Sequence, residues 1–160
     1  RRDAGVVAAA ALEGVPDALL PLVPLFGRAV LELGSDRHDA VALTRRIAAK
    51  TGGISRDALV ASVMGGTPSD VVGRLVFRGK ATLEKTGELL DILDEVLTGA
   101  DFGNAERFAQ MALEAKSRLE RRLAPAGHAT ASTRIRARYS MAGYAAERLR
   151  GLSRGSALDV

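Results

Sequence analysis

Apolar side chains change their spacing along this chain, and that change constrains the fold more than any other feature. Leu19, Leu20, Val23, Phe26, Val30 and Leu33 recur at three and four residues, which places them on one helical face. Later the recurrence is every second residue. Leu59, Ala61 and Val63 alternate with Val60, Ser62 and Met64, Gly65-Gly66-Thr67-Pro68-Ser69-Asp70 turns the chain, and alternation resumes from Val72 to Arg78. This pattern predicts an antiparallel hairpin. Beyond Gly79 the helical period returns: Leu83, Thr86, Leu89-Leu90, Leu93 and Val96-Leu97 form one stripe. Phe102, Ala105, Phe108, Met111-Ala112, Ala115, Leu119 and Leu123 form the next. A chain with both periods in one length belongs to the α+β class.

Breaker residues set the remaining boundaries. Gly5 to Leu12 reads as a strand ended by Val15-Pro16-Asp17. Proline is comfortable only in a first turn, so the regular part of the first helix starts near Pro21 to Pro24 and stops at Gly34-Ser35. A second helix is predicted from Arg37 to Lys50, with Val41, Leu43 or Thr44, and Ile47 inward and Gly52-Gly53 as its stop. Pro125 and Gly127 separate a last, Arg-rich helix over residues 129–149. The predicted order is β-α-α-β-β-α-α-α, an antiparallel sheet covered by helices on one face. Residues 1–100 are read as the α+β core and 101–160 as its helical extension.

Composition removes whole classes of chemistry. Without cysteine there is no disulfide, thiol nucleophile, iron–sulfur cluster or cysteine zinc site. With 160 residues, 47% hydrophobic and 26% charged, the chain can bury a core and is not disordered. The uncharged apolar runs Ala4 to Leu12 and Ala18 to Gly27 reach about half of the roughly 20 residues a membrane helix needs. Arg1-Arg2 before Val6 to Leu12 imitates an export signal, but Asp3 and Glu13 lie inside it and the apolar run also reads as a buried strand. The absence of an initiating Met makes a piece of a longer polypeptide the expectation.

Net charge is +4, and it is unevenly placed. Residues 105–154 hold eleven Lys or Arg against four Glu, whereas residues 1–104 hold twelve against fourteen acids. A basic helical stretch of this kind is a solvated face in most proteins, but it also suits nucleic acid, an acidic partner domain or an acidic peptide.

Apparent catalytic motifs fail on spacing. Gly79-Lys80-Ala81-Thr82 resembles the end of a phosphate-binding loop, yet Arg74 stands where the loop's first Gly is needed, and Ala81 cannot ligate magnesium. Gly151-Leu152-Ser153-Arg154-Gly155 fits G-x-S-x-G, but it follows a predicted helix where a nucleophile elbow follows a strand. His38 and His128 lie 90 positions apart and complete no metal motif; His38 is placed at a solvated helix start and His128 near a helix entrance. Nothing selects a carboxylate pair such as Glu13 with Asp91 for acid–base work.

Two long blocks carry a resemblance. Leu20-Pro21-Leu22-Val23-Pro24-Leu25-Phe26-Gly27-Arg28-Ala29-Val30-Leu31-Glu32-Leu33-Gly34, continued by Leu43-Thr44-Arg45-Arg46-Ile47-Ala48-Ala49-Lys50-Thr51-Gly52-Gly53-Ile54-Ser55, resembles the associated region of presequence-protease-type zinc metallopeptidases of the pitrilysin and insulinase family. The likeness continues through Phe77-Arg78-Gly79-Lys80-Ala81, Glu106-Arg107-Phe108, Glu114-Ala115-Lys116-Ser117-Arg118-Leu119 and Pro125-Ala126-Gly127-His128. It implies an enzyme of four domains whose two bowl-shaped halves enclose a peptide, with zinc in the first domain and this chain in the third, non-catalytic one. The fold it implies is a pitrilysin/mitochondrial-processing-peptidase-like half. Aligned on the Leu-Gly-Ser ending, the helix from Pro21 to Leu33 looks like a degenerate zinc helix. The positions of the two histidines fall on Leu25 and Ala29, and that of the glutamate on Arg28.

The resemblance thus implies no catalytic residue, metal ligand or cofactor in this segment, with zinc held by the catalytic domain of the parent enzyme. Its partners would be the remaining domains of the same polypeptide and a peptide substrate; neither nucleic acid nor a membrane is expected. Arg134, Arg136, Arg138 and Arg148 are the candidate contacts with substrate or with the partner half. The bacterial cytoplasm is the expected compartment, or an organelle matrix in a eukaryote. A basic nucleic-acid-binding module and a purely structural protein-interaction module remain the alternatives.

Overall fold

The computed structural model describes residues 3–158. Arg1 and Arg2 of the export-like stretch, and Asp159 and Val160, lie outside the described residues. Strands β1 (Asp3–Ala11), β2 (Ile54–Ser62) and β3 (Val71–Thr82) form an antiparallel sheet in the order β1-β3-β2. β3 is central, so Leu75, Val76 and Phe77 are buried in succession, whereas β1 alternates exposed and half-buried positions from Asp3 to Ala9. At the hairpin the Val63 N–H donates to the Asp70 carbonyl at 2.9 Å, and Gly65 takes a φ of +78° that a side chain would resist.

The α+β class holds, and the helix order differs from the predicted one. Among the described residues there are α1 (Val23–Glu32), α2 (Ala40–Lys50), α3 (Thr86–Thr98), α4 (Ala105–Leu123), α5 (Gly127–Arg136), α6 (Met141–Arg150) and α7 (Ser153–Ala157). The single helix predicted over 129–149 is two helices. Ser140 breaks it, adopting an extended backbone and accepting the Gly143 N–H on its side chain at 3.0 Å, which caps α6. The hairpin strands are also longer than the alternation showed, while Val63 and Met64 fall in the turn beyond β2.

Compact packing divides the chain into two units built from interleaved segments. Unit 1 comprises Arg1–Ala9, Phe26–Asp57 and Val76–Ala109; unit 2 comprises Ala10–Leu25, Ala58–Leu75 and Gln110–Val160.

In unit 1, Ala29, Val30, Leu33, Leu43, Phe77, Leu89, Ile92, Leu93 and Val96 are buried. Each large aliphatic among them contributes about 1.5–3 kcal/mol of burial. α3 lies so close to β3 that a β-carbon on Gly79 would come within 2.5 Å of Leu89 Cδ1. α1 ends at Gly34, whose φ of +111° and whose approach to the His38 carbonyl both exclude a side chain. The Asp39 side chain then caps α2 by accepting the Ala42 N–H at 2.7 Å. The inward positions predicted for α2 need correcting: Leu43 is buried, and Val41 faces solvent. Phe26, placed on the core face by its spacing, is half-exposed and stacks on Phe102 with ring centres 5.6 Å apart.

In unit 2, Leu12, Val23, Leu25, Leu75, Met111, Ala112 and Leu149 form the core. The Leu12 N–H joins the Gly73 carbonyl at 3.1 Å, fixing the register of β1 on β3 there. A 3-10 turn at Asp17–Leu22 accommodates Pro21 ahead of α1, and α6 packs on it. Leu19 is exposed on that turn, contrary to its helical spacing.

Candidate functional site

α1 carries the three positions that the zinc-helix alignment singles out. Leu25 and Ala29 are 2% and 0% exposed. Arg28, also buried, directs its Nε to both oxygens of Glu32 at 2.9 Å, an i,i+4 pair. An isobutyl group, a methyl group and a guanidinium offer no lone pair to a metal, so this donor set does not fit zinc. Among the described residues no three His, Asp or Glu side chains come together as a metal-holding group.

Unit 1 contains a polar hub that spacing did not reveal. Glu95, on α3, is 1% exposed. Its Oε1 accepts from Ser35 Oγ at 2.5 Å and faces His38 Nδ1 at 2.7 Å, while Oε2 pairs with Arg46 of α2. Burial is the largest influence on this carboxyl and pushes its pKa up. Hydrogen bonds from Ser35 and His38 and the charges of His38 and Arg46 together outweigh it and hold the carboxyl below its ordinary range. His38 is therefore a structural partner at the entrance to α2, its side chain still partly exposed.

Serine, histidine and carboxylate meet here without forming a nucleophile. Ser35 Oγ gives its proton to Glu95 and accepts the His38 and Arg37 backbone N–H groups at 2.9 and 3.2 Å. Both side chains converge on one carboxylate oxygen, so no ring nitrogen is placed to deprotonate the hydroxyl. The signal that locates Glu95 in sequence is its position on the buried stripe of α3 between Ile92 and Val96, where a lone charge needs partners.

The arginines chosen as contacts separate into two groups, both in unit 2. Arg148 is engaged internally: its Nη2 donates to the Asp17 carbonyl at 2.9 Å, and Tyr144 donates its hydroxyl to the Asp17 carboxylate at 2.9 Å. Arg134, Arg136 and Arg138 face solvent. Arg134 lies 3.8 Å from Glu147, and the other two have no ion-pair partner among the described residues.

Ser153 of the G-x-S-x-G match follows α6, and its hydroxyl and N–H are both taken by Glu147, at 2.5 and 3.2 Å. The hydroxyl is spent on a buried carboxylate, and Glu147 also takes the first N–H of α7. His128 is exposed in the first turn of α5. Glu13 pairs with Arg74 on the sheet, and Asp91 is exposed on α3.

One cleft of about 510 Å³ in unit 1 is lined by Lys50, Lys80 and Lys85 together with Asp3, Glu84 and Thr82. Opposite charges share its walls, and no histidine or buried nucleophile reaches it. Among the described residues no helix is long and apolar enough to cross a membrane.

Residues 6–159 match the family described as peptidase M-16C associated. The chain is 36% identical over 135 residues to presequence protease 1, chloroplastic/mitochondrial, of Arabidopsis thaliana, covering 84% of this chain and 12% of that protein. It is 27% identical over 138 residues to protein HypA of Clostridium perfringens, covering 86% and 14%. It is likewise 27% identical over 148 residues to the mitochondrial presequence protease of Gibberella zeae, covering 89% and 14%. The chain spans about an eighth of the length of the curated relatives it matches.

Proposed function

The chain belongs to the peptidase-associated family matched over residues 6–159, and from that premise we propose that it is a non-catalytic segment of a zinc metalloendopeptidase that degrades short unstructured peptides in a closed chamber. The segment supplies part of the chamber wall and of the contact with the catalytic half. Zinc and the groups that activate water on it belong to another domain of the parent polypeptide. Arg134, Arg136 and Arg138 are the contacts with that half or with substrate; Arg148 serves the fold. The parent works in the cytoplasm of a bacterium, or in an organelle matrix in a eukaryote, where presequence proteases of plants and fungi carry mitochondrial or chloroplast names.

The observation that carries this reading is the family match combined with buried Leu25 and Ala29 at the two histidine positions of the aligned helix. The test compares the isolated chain with the full parent polypeptide. Chelator-sensitive cleavage of oligopeptides is expected from the parent alone, and the purified chain is expected to carry no stoichiometric zinc. Tight one-to-one zinc in the chain, or peptide hydrolysis by it, overturns the proposal.

A further inference from the structure

Between Glu120 and Glu147 the sequence contains neither Asp nor Glu, yet it contains Arg121, Arg122, Arg134, Arg136 and Arg138. These residues fold as the end of α4, α5, the turn 137–140 and the start of α6, all within unit 2. Arg136 and Arg138 are exposed and have no ion-pair partner among the described residues. Around them Ile135, Tyr139 and Met141 are 57%, 82% and 50% exposed.

Arg134 lies beside Glu147, but Arg136 and Arg138 have no carboxylate partner among the described residues, and exposed apolar groups flank them. Arginine, tyrosine and methionine are side chains enriched where proteins dock, and the two guanidinium groups have no internal acid competing for them. The turn is also held in place: Arg138 N–H bonds the Ile135 carbonyl at 3.0 Å and Tyr139 N–H the Arg136 carbonyl at 3.1 Å. Presenting the groups on an ordered turn lowers the entropy cost of binding.

We propose that the α5–α6 corner is a docking surface for a carboxylate-rich segment of the same polypeptide, with Arg136 and Arg138 holding carboxylates and Tyr139, Ile135 and Met141 covering the apolar groups beside them. Guanidinium forks match carboxylates in a bidentate geometry, which sets the chemistry of the occupant. Two exposed tyrosines, Tyr139 and Tyr144, the second tied to Asp17 by its hydroxyl, provide no run of stacking surfaces for nucleic acid. The occupant is assigned to the same polypeptide because the relatives are roughly six to seven times longer than this chain, which leaves many residues outside it to supply an acidic segment. This source rests on the peptidase-segment reading given above.

The test replaces Tyr139 in the full-length polypeptide with a photoactivatable benzophenone residue and maps the cross-linked peptide by mass spectrometry. A link to an Asp/Glu-rich segment of the same chain is expected. The R136Q/R138Q variant should cut its yield about fivefold, with a smaller loss for R136K/R138K. A link to a segment without acids, to a second copy, to added peptide substrate, to nucleic acid or to lipid overturns the inference, as does the absence of any link. Chelator-sensitive cleavage by the unmodified polypeptide is scored in parallel. Cleavage without an acidic link sinks only the docking surface, and an acidic link without cleavage sinks only the peptidase reading.

Discussion

Replacing Gly143 by alanine sets two effects of known sign against each other. Gly143 is the third residue of α6, and in an ordinary helix alanine there would be favoured by about 0.5–1 kcal/mol. In this fold the new β-carbon would run into the Arg136 carbonyl, lying only 2.8 Å from its carbon and 2.9 Å from Ser140 Oγ. Carbon atoms need about 3.5 Å, so the end of α5 must retreat by at least about 0.7 Å. The Arg136 oxygen already accepts the Tyr139 N–H, so the displacement strains that bond as well. Overpacking of this kind costs about 1–3 kcal/mol, so the clash outweighs propensity and G143A is expected to destabilise the chain by about 1–2 kcal/mol. Gly87 is the matched control. It is the second residue of α3, and nothing lies within 4 Å of a β-carbon built on it, so G87A should stabilise by about 0.5 kcal/mol. Urea unfolding followed by far-ultraviolet circular dichroism gives both differences at once. If G143A is as stable as G87A, the argument from close approach at the α5–α6 junction is wrong.

Other outcomes follow from the Glu95 hub and from the Tyr144–Asp17 bond. Glu95→Gln should cost about 2 kcal/mol at neutral pH, since it removes the anion that satisfies Ser35, His38 and Arg46. Because the folded carboxyl lies below its ordinary value of 4.5, its contribution is complete above that pH and disappears as pH falls through the folded value. Acid unfolding curves of the native chain should therefore be steeper than those of the variant, and equal slopes would refute the hub. The chain has two tyrosines, so in a Tyr139→Phe background the ultraviolet titration reports Tyr144 alone. Its hydrogen bond to Asp17, then burial and the Asp17 charge, raise it above the ordinary 10.0, and Asp17→Asn should return it toward that value. No change on that substitution would mean that the Tyr144–Asp17 bond does not persist in solution.

Periodicity carried the elements well where burial was one-sided and poorly where it was not. β3 was visible because Val72 to Arg78 alternates, but its extension through Thr82 was hidden by Gly79 and Lys80. A glycine required by Leu89 reads in sequence as a break. The junction inside residues 129–149 was missed for a similar reason. Ser140 caps by a backbone change that leaves the apolar spacing intact, and Gly143 signals a close approach only once α5 is in view. Stripe residues at the margin, such as Phe26, Val41 and Leu90, share the spacing of the core but not its burial, because spacing gives a face and not its width. Of the site, the side-chain chemistry at Leu25, Arg28 and Ala29 was legible in the sequence. The engagement of Arg148 with Asp17 was not, since it joins residues 131 positions apart.

The interleaved make-up of the two units has a consequence for synthesis. Unit 1 lacks a whole layer until α3 has emerged, and unit 2 draws on residues from 10 to the far end of the span. During translation the buried faces of α1 and α2 wait, uncovered, for strands and helices made much later, so closure is a late, long-range event. A nascent chain stalled or cut near residue 100 would expose Val23, Leu25 and Leu75 without Met111, Ala112 and Leu149, which complete their core. Such a fragment is a natural client for chaperones and degradation, and a gene split at that point should yield two insoluble halves.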